Sequence, residues 1–324
     1  MQTTRQVWQI AAGDAGRFYG DIFLRYGVAL IGPGDAGPWS PERSMIKDLQ
    51  AVRSFASEVQ QGDIILLRIG QRRIHAIGIV VSDYLYLSQF DDVNGWDLQH
   101  ARRVRWCRLP KEYEFSSAVF GSRSKRFSGS YDEDVRHYAE AFVNSPPTAW
   151  QDATLPLLPP EEASLEIIPQ ELQALASQAA DLSLLYWDQK RFGSLPSEAE
   201  TVAHFVIPFL KALGWQTENI AVEWRNVDVA LFNQLPRNPE NCAFIIEAKQ
   251  LGSGVEGALE QAQNYLKNLG TLQDVIVTDG VRYRLYSGQK NFEPTGYANL
   301  ARLKQSATIL FDTLRPILRT REGV

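Results

Sequence analysis

Residues 227–249 read VDVALFNQLPRNPENCAFIIEAK, and the apolar runs at the two ends read as neighbouring strands. Asp228 stands within the first run. Glu247 and Lys249 lie two residues apart on the second, and the period of a strand puts both on one face. Two acidic side chains brought to one spot from neighbouring strands repel unless a cation lies between them. The natural cation is Mg²⁺, which takes oxygen ligands and keeps waters for a phosphate substrate. A lysine ammonium beside that site orients or helps deprotonate an attacking water and stabilises charge on phosphorus. A competing reading makes Asp228 and Glu247 surface-facing strand residues, with Lys249 paired to one of them.

The flanking sequence extends this pattern. SEAETVAHFVIPFLKALGW (197–215) reads as a helix, with Val202, Phe205, Val206, Phe209, Leu210 and Leu213 at helical spacing and Gly214 as its stop. Its start offers a further acidic group, Glu198 or Glu200. His204, one and a half turns after Glu198, is expected on the far side of that helix as a packing residue. Another helix is expected over 169–192. GVEGALEQAQNYLKNLG (254–270) carries Gln261 and Tyr265 four apart on one helical face. DVIVTDG and RYRLYSG follow as strands, so this half is an α/β domain with a mixed sheet.

The first 110 or so residues are β-rich: VWQIAA, GVALIGPGD, GDIILLRIG and RIHAIGIVVSDYLYL are short apolar or alternating runs bounded by Gly-containing turns. They imply a small barrel or sandwich. SPERSMIKDLQAVRSFASEVQ interrupts them with helical spacing at Met45, Ile46, Leu49, Val52 and Phe55, and YDEDVRHYAEAFV (131–143) reads as another helix. Pro146, Pro147, Pro156, Pro159 and Pro160 then mark an extended, semi-stiff connector. The expected organisation is a first domain over 1–144, a linker over 145–165 and a second domain over 166–324.

Composition bounds the function classes. A chain of 324 residues suggests two domains, and 44% hydrophobic residues suffice for a core in each. With no run of about 18 apolar residues and no signal-peptide zones at the start, a cytoplasmic protein without membrane attachment is expected. Cys107 and Cys242 lack CxxC spacing, which excludes a cysteine zinc site. The net charge of −5 argues against histone-like nucleic-acid binding. Locally, Arg102, Arg103, Arg105, Arg108, Lys111, Arg123, Lys125 and Arg126 face only Glu112 and Glu114, a stretch able to supply phosphate contacts or, equally, to be a solvated strand edge and loop.

The ordered set of Glu in SEAETVAHFVIPFLKALGW, Asp in NVDVALF, Glu-x-Lys in FIIEAKQ, Gln-x-x-x-Tyr in QAQNY, and VTDGVRYRLY resembles the PD-(D/E)XK nuclease superfamily over about residues 180 to 290. It looks closest to the nuclease domain of type I restriction motor subunits. The resemblance implies Asp228 and Glu247 as metal ligands with the Ala248 carbonyl as a third, Lys249 assisting the nucleophile, Glu198 as the helix-borne acid, and Gln261 with Tyr265 shaping the site near the DNA backbone. Counting back from Pro208 favours Glu198 over Glu200. The proline of the family name is absent, since Val227 precedes Asp228. Mg²⁺ is the implied cofactor, with Mn²⁺ able to substitute.

About residues 5 to 110 resemble the PUA-like group of small α+β barrels (EVE, YTH and ASCH modules), through the Gly-rich turns, the Gly-Asp before a strand and the Arg-Val-x-Trp strand. Members of that group hold a modified or flipped base between aromatic side chains. Trp8, Phe18, Tyr19, Trp39, Tyr84, Tyr86, Trp96 and Trp106 supply stacking faces here. Trp39 leads, in the loop GPGDAGPWSP, with Asp35 as acceptor for an exocyclic amine; Tyr19 and Trp96 are reserves, and Trp8 and Trp106 are expected to pack. Together the two resemblances imply a modification-dependent restriction endonuclease acting on DNA with a modified base; since duplex cleavage needs two phosphodiester attacks, a homodimer or transient pairing on DNA is expected. Two alternatives are a binder of modified or structured RNA on a nuclease-fold platform and a repair or defence nuclease whose first domain contacts a protein.

Overall fold

A computed structural model describes residues 5–13, 18–42, 49–93, 96–121, 127–130, 132–146, 149–150, 154–187, 193–194, 196–251, 255, 258–270 and 272–316. Met45, Ile46, Arg123, Lys125 and Arg126 lie outside them. The chain divides into two units, 1–161 and 162–324, just past Pro160. Trp150 and Pro156 pack on the first unit: Arg105 lies over the Trp150 ring, and Arg103 donates to the Pro156 carbonyl at 2.6 Å. The fold is mixed α/β in both units.

In the first unit the apolar runs become β1 (Val7–Ala11), β2 (Val28–Ile31), β3 (Ile64–Ile69), β4 (Arg73–Val80), β5 (Leu85–Tyr86), β6 (His100–Glu114) and β7 (Phe127–Gly129), with α1 (Gly20–Tyr26), α2 (Gln50–Ser57) and α3 (Glu133–Asn144) between or after them. They form one curled half-barrel sheet of order β2-β6-β4-β3-β1-β7, with β5 paired to β6. Among the described residues a single parallel pair, β1 with β3, interrupts the antiparallel pattern. Strand β6 carries Pro110, which has no N–H to donate to a ladder. The β4–β6 register shifts between Ile74 and Ala76, where the partner jumps from Tyr113 to Arg108, so Pro110 falls in the unpaired excess. Helix α3 starts where the sequence supplies a cap: Asp132 accepts the Val135 N–H at 3.1 Å.

The second unit carries α4 (Gln170–Trp187) and α5, the latter built from Glu198–Thr201, a π-helical Val202–Val206 and Ile207–Ala212. β8 (Ile220–Trp224), β9 (Val227–Phe232), β10 (Cys242–Ala248), α6 (Ala258–Leu269), β11 (Asp274–Thr278), β12 (Arg282–Ser287), β13 (Glu293–Asn299) and α7 (Ala307–Leu314) follow. The six strands lie in the order β13-β12-β11-β10-β9-β8. Among the described residues only β10 and β11 run parallel, and α6 is the crossover that joins them. Its apolar face, Ala258, Ala262 and Leu266, packs with Ala230, Phe232, Ile245, Val275 and Val277 of the sheet. Gly280 adopts φ +88°, and a Cβ there would stand 2.9 Å from Phe205, so the β11–β12 turn admits no side chain at that position. Among the described residues, no helix is long and apolar enough to cross a membrane.

Candidate functional site

Strands β9 and β10 pair Val229 with Ile246 and Ala230 with Ile245, which brings the ends bearing Asp228 and Glu247 together. The Ala248 N–H donates to Asp228 Oδ2 at 2.7 Å. Lys249 donates to Glu247 Oε1 at 2.7 Å, and its Nζ lies 3.6 Å from Glu198 Oε1. The Glu247 side chain is 1% exposed, Lys249 19% and Glu198 52%. The group thus grades from a buried carboxylate, through a half-covered ammonium, to a solvated acid.

Burial pushes the Glu247 carboxyl up to about 7, with Asp228 and Glu198 adding to the rise and the Lys249 hydrogen bond opposing it. Asp228 is also raised, first by burial and then by Glu198 and Glu223, against the pull of the Ala248 N–H and of Lys249. Burial alone would lower Lys249; Glu247, Glu198 and Asp228 together outweigh it and hold the ammonium above its ordinary value. Burial is the leading cause for both carboxyls, so a positive ligand here would lower both.

The structure separates Glu198 from Glu200. Glu200 closes a capping box: its Oε2 accepts from the Ser197 N–H at 2.8 Å and the Ser197 hydroxyl at 2.9 Å, while its own N–H donates to Ser197 Oγ at 3.2 Å. These bonds hold its carboxyl below the usual range and point it at the helix end. Glu198 is the one that approaches Lys249. His204, expected to pack, is exposed; the adjacent Phe205 takes the buried position. On α6, Gln261 donates to the Tyr265 hydroxyl at 2.8 Å, and Tyr265 packs against the cluster containing Val227 and Ala230. Neither is bonded to Asp228, Glu247 or Lys249 among the described residues.

The donor set suits a hard cation. It offers carboxylate oxygens, and Glu247 Oε2 is buried with no hydrogen-bond partner among the described residues. An orphaned carboxylate oxygen in an apolar setting is costly unless something positive meets it. Also among the described residues, no three His, Cys, Asp or Glu side chains converge as a ready cage. Mg²⁺ tolerates such a partial set, because it keeps waters or substrate oxygens in its remaining positions.

In the first unit, a pocket of about 690 Å³ is lined by Trp39, Ala56, Ser57, Val59, Gln60, Gln61, Asp83, Tyr84 and Arg102. The loop bearing Trp39 is fixed from below. Tyr84 accepts the Trp39 N–H at 2.9 Å and meets His100 Nδ1 at 2.8 Å, with His100 Nε2 2.8 Å from the Pro33 carbonyl. The Asp35 N–H donates to Asp97 at 2.9 Å, and Gln99 donates to the Asp35 side chain at 3.3 Å. Gly34 is required there, since a Cβ would stand 1.6 Å from Gln99 Oε1. Asp35 therefore shapes the loop and is not among the pocket-lining residues. Trp39 itself is half-buried, with an indole N–H that has no partner among the described residues.

Other expectations for this unit need correction. Tyr19 and Trp96 are 3% and 5% exposed, and neither lines the pocket. Arg102, expected on phosphates, donates to the carbonyls of Phe55, Ala56 and Ser82 and turns inward as part of the pocket wall. Arg103 donates to the carbonyls of Gly27, Tyr26 and Pro156. Arg105 is partly covered, with its guanidinium 5.7 Å from the Trp150 ring centroid. A positive run on a strand that is covered on both sides serves backbone carbonyls before it serves a ligand. Trp8 and Trp106 are buried, with their indole N–H groups on Asp63 and the Val28 carbonyl. Tyr84 is one of the eight aromatics the sequence offered, whereas Gln60, Gln61 and Asp83 were not singled out; the place of Asp83 next to Tyr84, and of the two glutamines just after a helix, was the available signal.

A family model described only as a domain of unknown function (DUF8426) matches residues 36–127. No curated protein matches the chain. Among solved structures, there is a weak similarity to a fragment described as the HsdR subunit of a type I restriction enzyme from Vibrio vulnificus YJ016, at 21% identity and a TM-score of 0.26. It covers 37% of this chain, and the chain spans about a quarter of that fragment, 25% of its length.

Proposed function

We propose that this chain is a Mg²⁺-dependent endonuclease whose second unit hydrolyses a phosphodiester and whose first unit selects DNA carrying a modified base. The observation that carries the reading is the buried Glu247 carboxylate, joined to Lys249 on one oxygen and partnerless on the other, next to Asp228. A surface ion pair needs no such burial, and a retired site has no use for the unmet oxygen. Asp228, Glu247 and the Ala248 carbonyl are the groups offered to the ion; when bound, it neutralises the carboxylates and acidifies a bound water. Mn²⁺ should replace it.

The chain's own groups do the positioning. Glu247 and Glu198 hold the Lys249 ammonium from two sides, which fixes the donor that orients the attacking water and faces the developing phosphoryl charge. The Gln261–Tyr265 pair is hydrogen-bonded and turned partly outward on α6, suited to the DNA backbone. In the first unit, the pinned Trp39 and Tyr84 give two aromatic walls, with Gln60, Gln61 and Asp83 as hydrogen-bonding groups for the edge of an extruded base.

The test is incubation with Mg²⁺ and matched DNAs carrying unmodified, methylated, hydroxymethylated or glucosylated cytosine. Cleavage confined to one modified substrate, absent in Lys249→Ala, supports both halves of the proposal. Cleavage of all substrates alike removes the reader, and cleavage of none by the intact protein removes the modified-cytosine nuclease.

A further inference from the structure

The pocket of the first unit is larger and more polar than a methylated base requires. Its volume is about 690 Å³. Allowing each heavy atom the roughly 30 Å³ that a water molecule occupies in the liquid, a methylated cytosine of about nine heavy atoms fills about 270 Å³. That is less than half of the pocket. A hydroxymethyl group in place of the methyl adds a single oxygen. A hexose joined through that oxygen adds about eleven heavy atoms more, and the whole then takes about 630 Å³. Size therefore favours a base that carries a sugar.

The lining leads to the same class. Trp39 and Tyr84 supply ring faces, on which the C–H face of a pyranose packs as a base does. Ser57, Gln60, Gln61 and Asp83 supply a hydroxyl, two carboxamides and a carboxylate, three of these on residues that follow one another closely and all on exposed ones. A methyl group among them stays in contact with water and gains little from burial. Sugar hydroxyls both donate and accept; a carboxamide does the same and a carboxylate accepts, so this set matches a run of neighbouring hydroxyls. Gln61 donates to Asp83 at 3.3 Å, which holds amide and carboxylate side by side, as two adjacent hydroxyls need. The indole N–H of Trp39, buried and without a partner among the described residues, is a further donor for an oxygen of the base or sugar.

Charge narrows the class to neutral groups. Arg102, the cation of the lining, is turned to the carbonyls of Phe55, Ala56 and Ser82, while Asp83 is an exposed carboxylate. A carboxylated or phosphorylated base would meet Asp83 with like charge. We propose that the first unit selects a base bearing a neutral sugar, with the base against Trp39 and Tyr84 and the sugar hydroxyls on Gln60, Gln61 and Asp83. The inference rests on the reading of this unit as a modified-base reader.

The experiment measures binding of the full chain, in chelator so that nothing is cut, to matched duplexes. These carry cytosine, methylcytosine, hydroxymethylcytosine or glucosylated hydroxymethylcytosine, the last in each anomer. One glucosylated duplex should bind at least about tenfold more tightly than the hydroxymethylated one, as one or two added hydrogen bonds allow. Asp83→Ala and Gln61→Ala, both at exposed positions, should remove that advantage and leave the other duplexes bound as by the wild type. Tightest binding of the methylated or hydroxymethylated duplex, or variants that keep the glucosyl preference, overturns the sugar and leaves the reader standing. Equal binding of every duplex by the wild type overturns the reader itself, and the sugar with it. Methyl glucoside that binds as tightly as the glucosylated duplex makes the occupant a free sugar and overturns the base-borne assignment.

Discussion

Asp228 accepts a hydrogen bond from the backbone of Ala248 at 2.7 Å, so the carboxylate of one strand is tied to the main chain between Glu247 and Lys249 on the next. The site is thus held by a backbone clamp as well as by strand pairing, and its parts fail differently.

Asp228→Asn keeps an acceptor for the Ala248 N–H and removes the charge. Its cleavage rate should fall by at least about a hundredfold, with a circular dichroism spectrum and melting temperature close to wild type. Asp228→Ala removes clamp and charge together and should lose both activity and some stability. A rate near wild type in Asp228→Asn would end the metal-ligand assignment.

Glu247 has a pH signature in the absence of divalent ions. Its carboxyl is raised from 4.5 to about 7 in the folded chain, so between those values the folded state holds the proton more tightly than the unfolded state does. Stability from this group is present below pH about 4.5 and is lost as pH rises through about 7. Glu247→Gln in chelator should therefore be more stable than wild type at pH 8, by about 1–3 kcal/mol, and lose that advantage at pH 4. Thermal melts at the two pH values measure it, and Mg²⁺ should stabilise the wild type alone.

Trp39→Ala should weaken binding of the preferred modified DNA by about ten- to a hundredfold, since stacking is worth about 1–3 kcal/mol per base, and leave unmodified DNA much less affected. Trp106→Ala, by contrast, should cost about 3–5 kcal/mol of stability and weaken both DNAs through unfolding. Fluorescence anisotropy with paired probes separates the two; equal losses for Trp39→Ala would assign it to packing.

Arg102→Ala exposes the other use of the basic strand. It strips donors from the carbonyls of Phe55, Ala56 and Ser82, so the melting temperature should drop by an amount worth about 2–4 kcal/mol. The dependence of DNA affinity on salt should keep its slope, because no phosphate contact is lost. A slope reduced by one contact would put Arg102 back on the DNA.

The grouping of Asp228, Glu247 and Lys249 was legible because a strand period and a neighbouring-strand register are both local rules. The choice of Glu198 over Glu200 was also present, as Ser197 three residues ahead of Glu200, a capping pattern that spends one acid on the helix end. Glu223 was not legible. Its place opposite Asp228 depends on where the hairpin turns, and Arg225 and Asn226, both at positive φ, turn it tightly enough to set that register. The arginines of β6 misled for a related reason: charge density along a strand says nothing of what covers each face, and here Phe55, Ser82 and Pro156 arrive from distant segments. Trp39 stood out because its loop is rich in Gly and Pro, while the polar floor that fixes it, Asp97, Gln99 and His100, lies about sixty residues away in sequence.

The parallel pairing of β10 with β11 carries a practical consequence. Because α6 is the crossover between them, a cut between Gln250 and Ala258 parts the chain so that Asp228, Glu247 and Lys249 stay on one piece, while Gln261, Tyr265 and three strands of the sheet go to the other. Neither fragment owns a complete sheet. On the nuclease reading proposed above, two such halves should be inert apart and regain activity only when brought together, with the helix that closes the sheet as the latch.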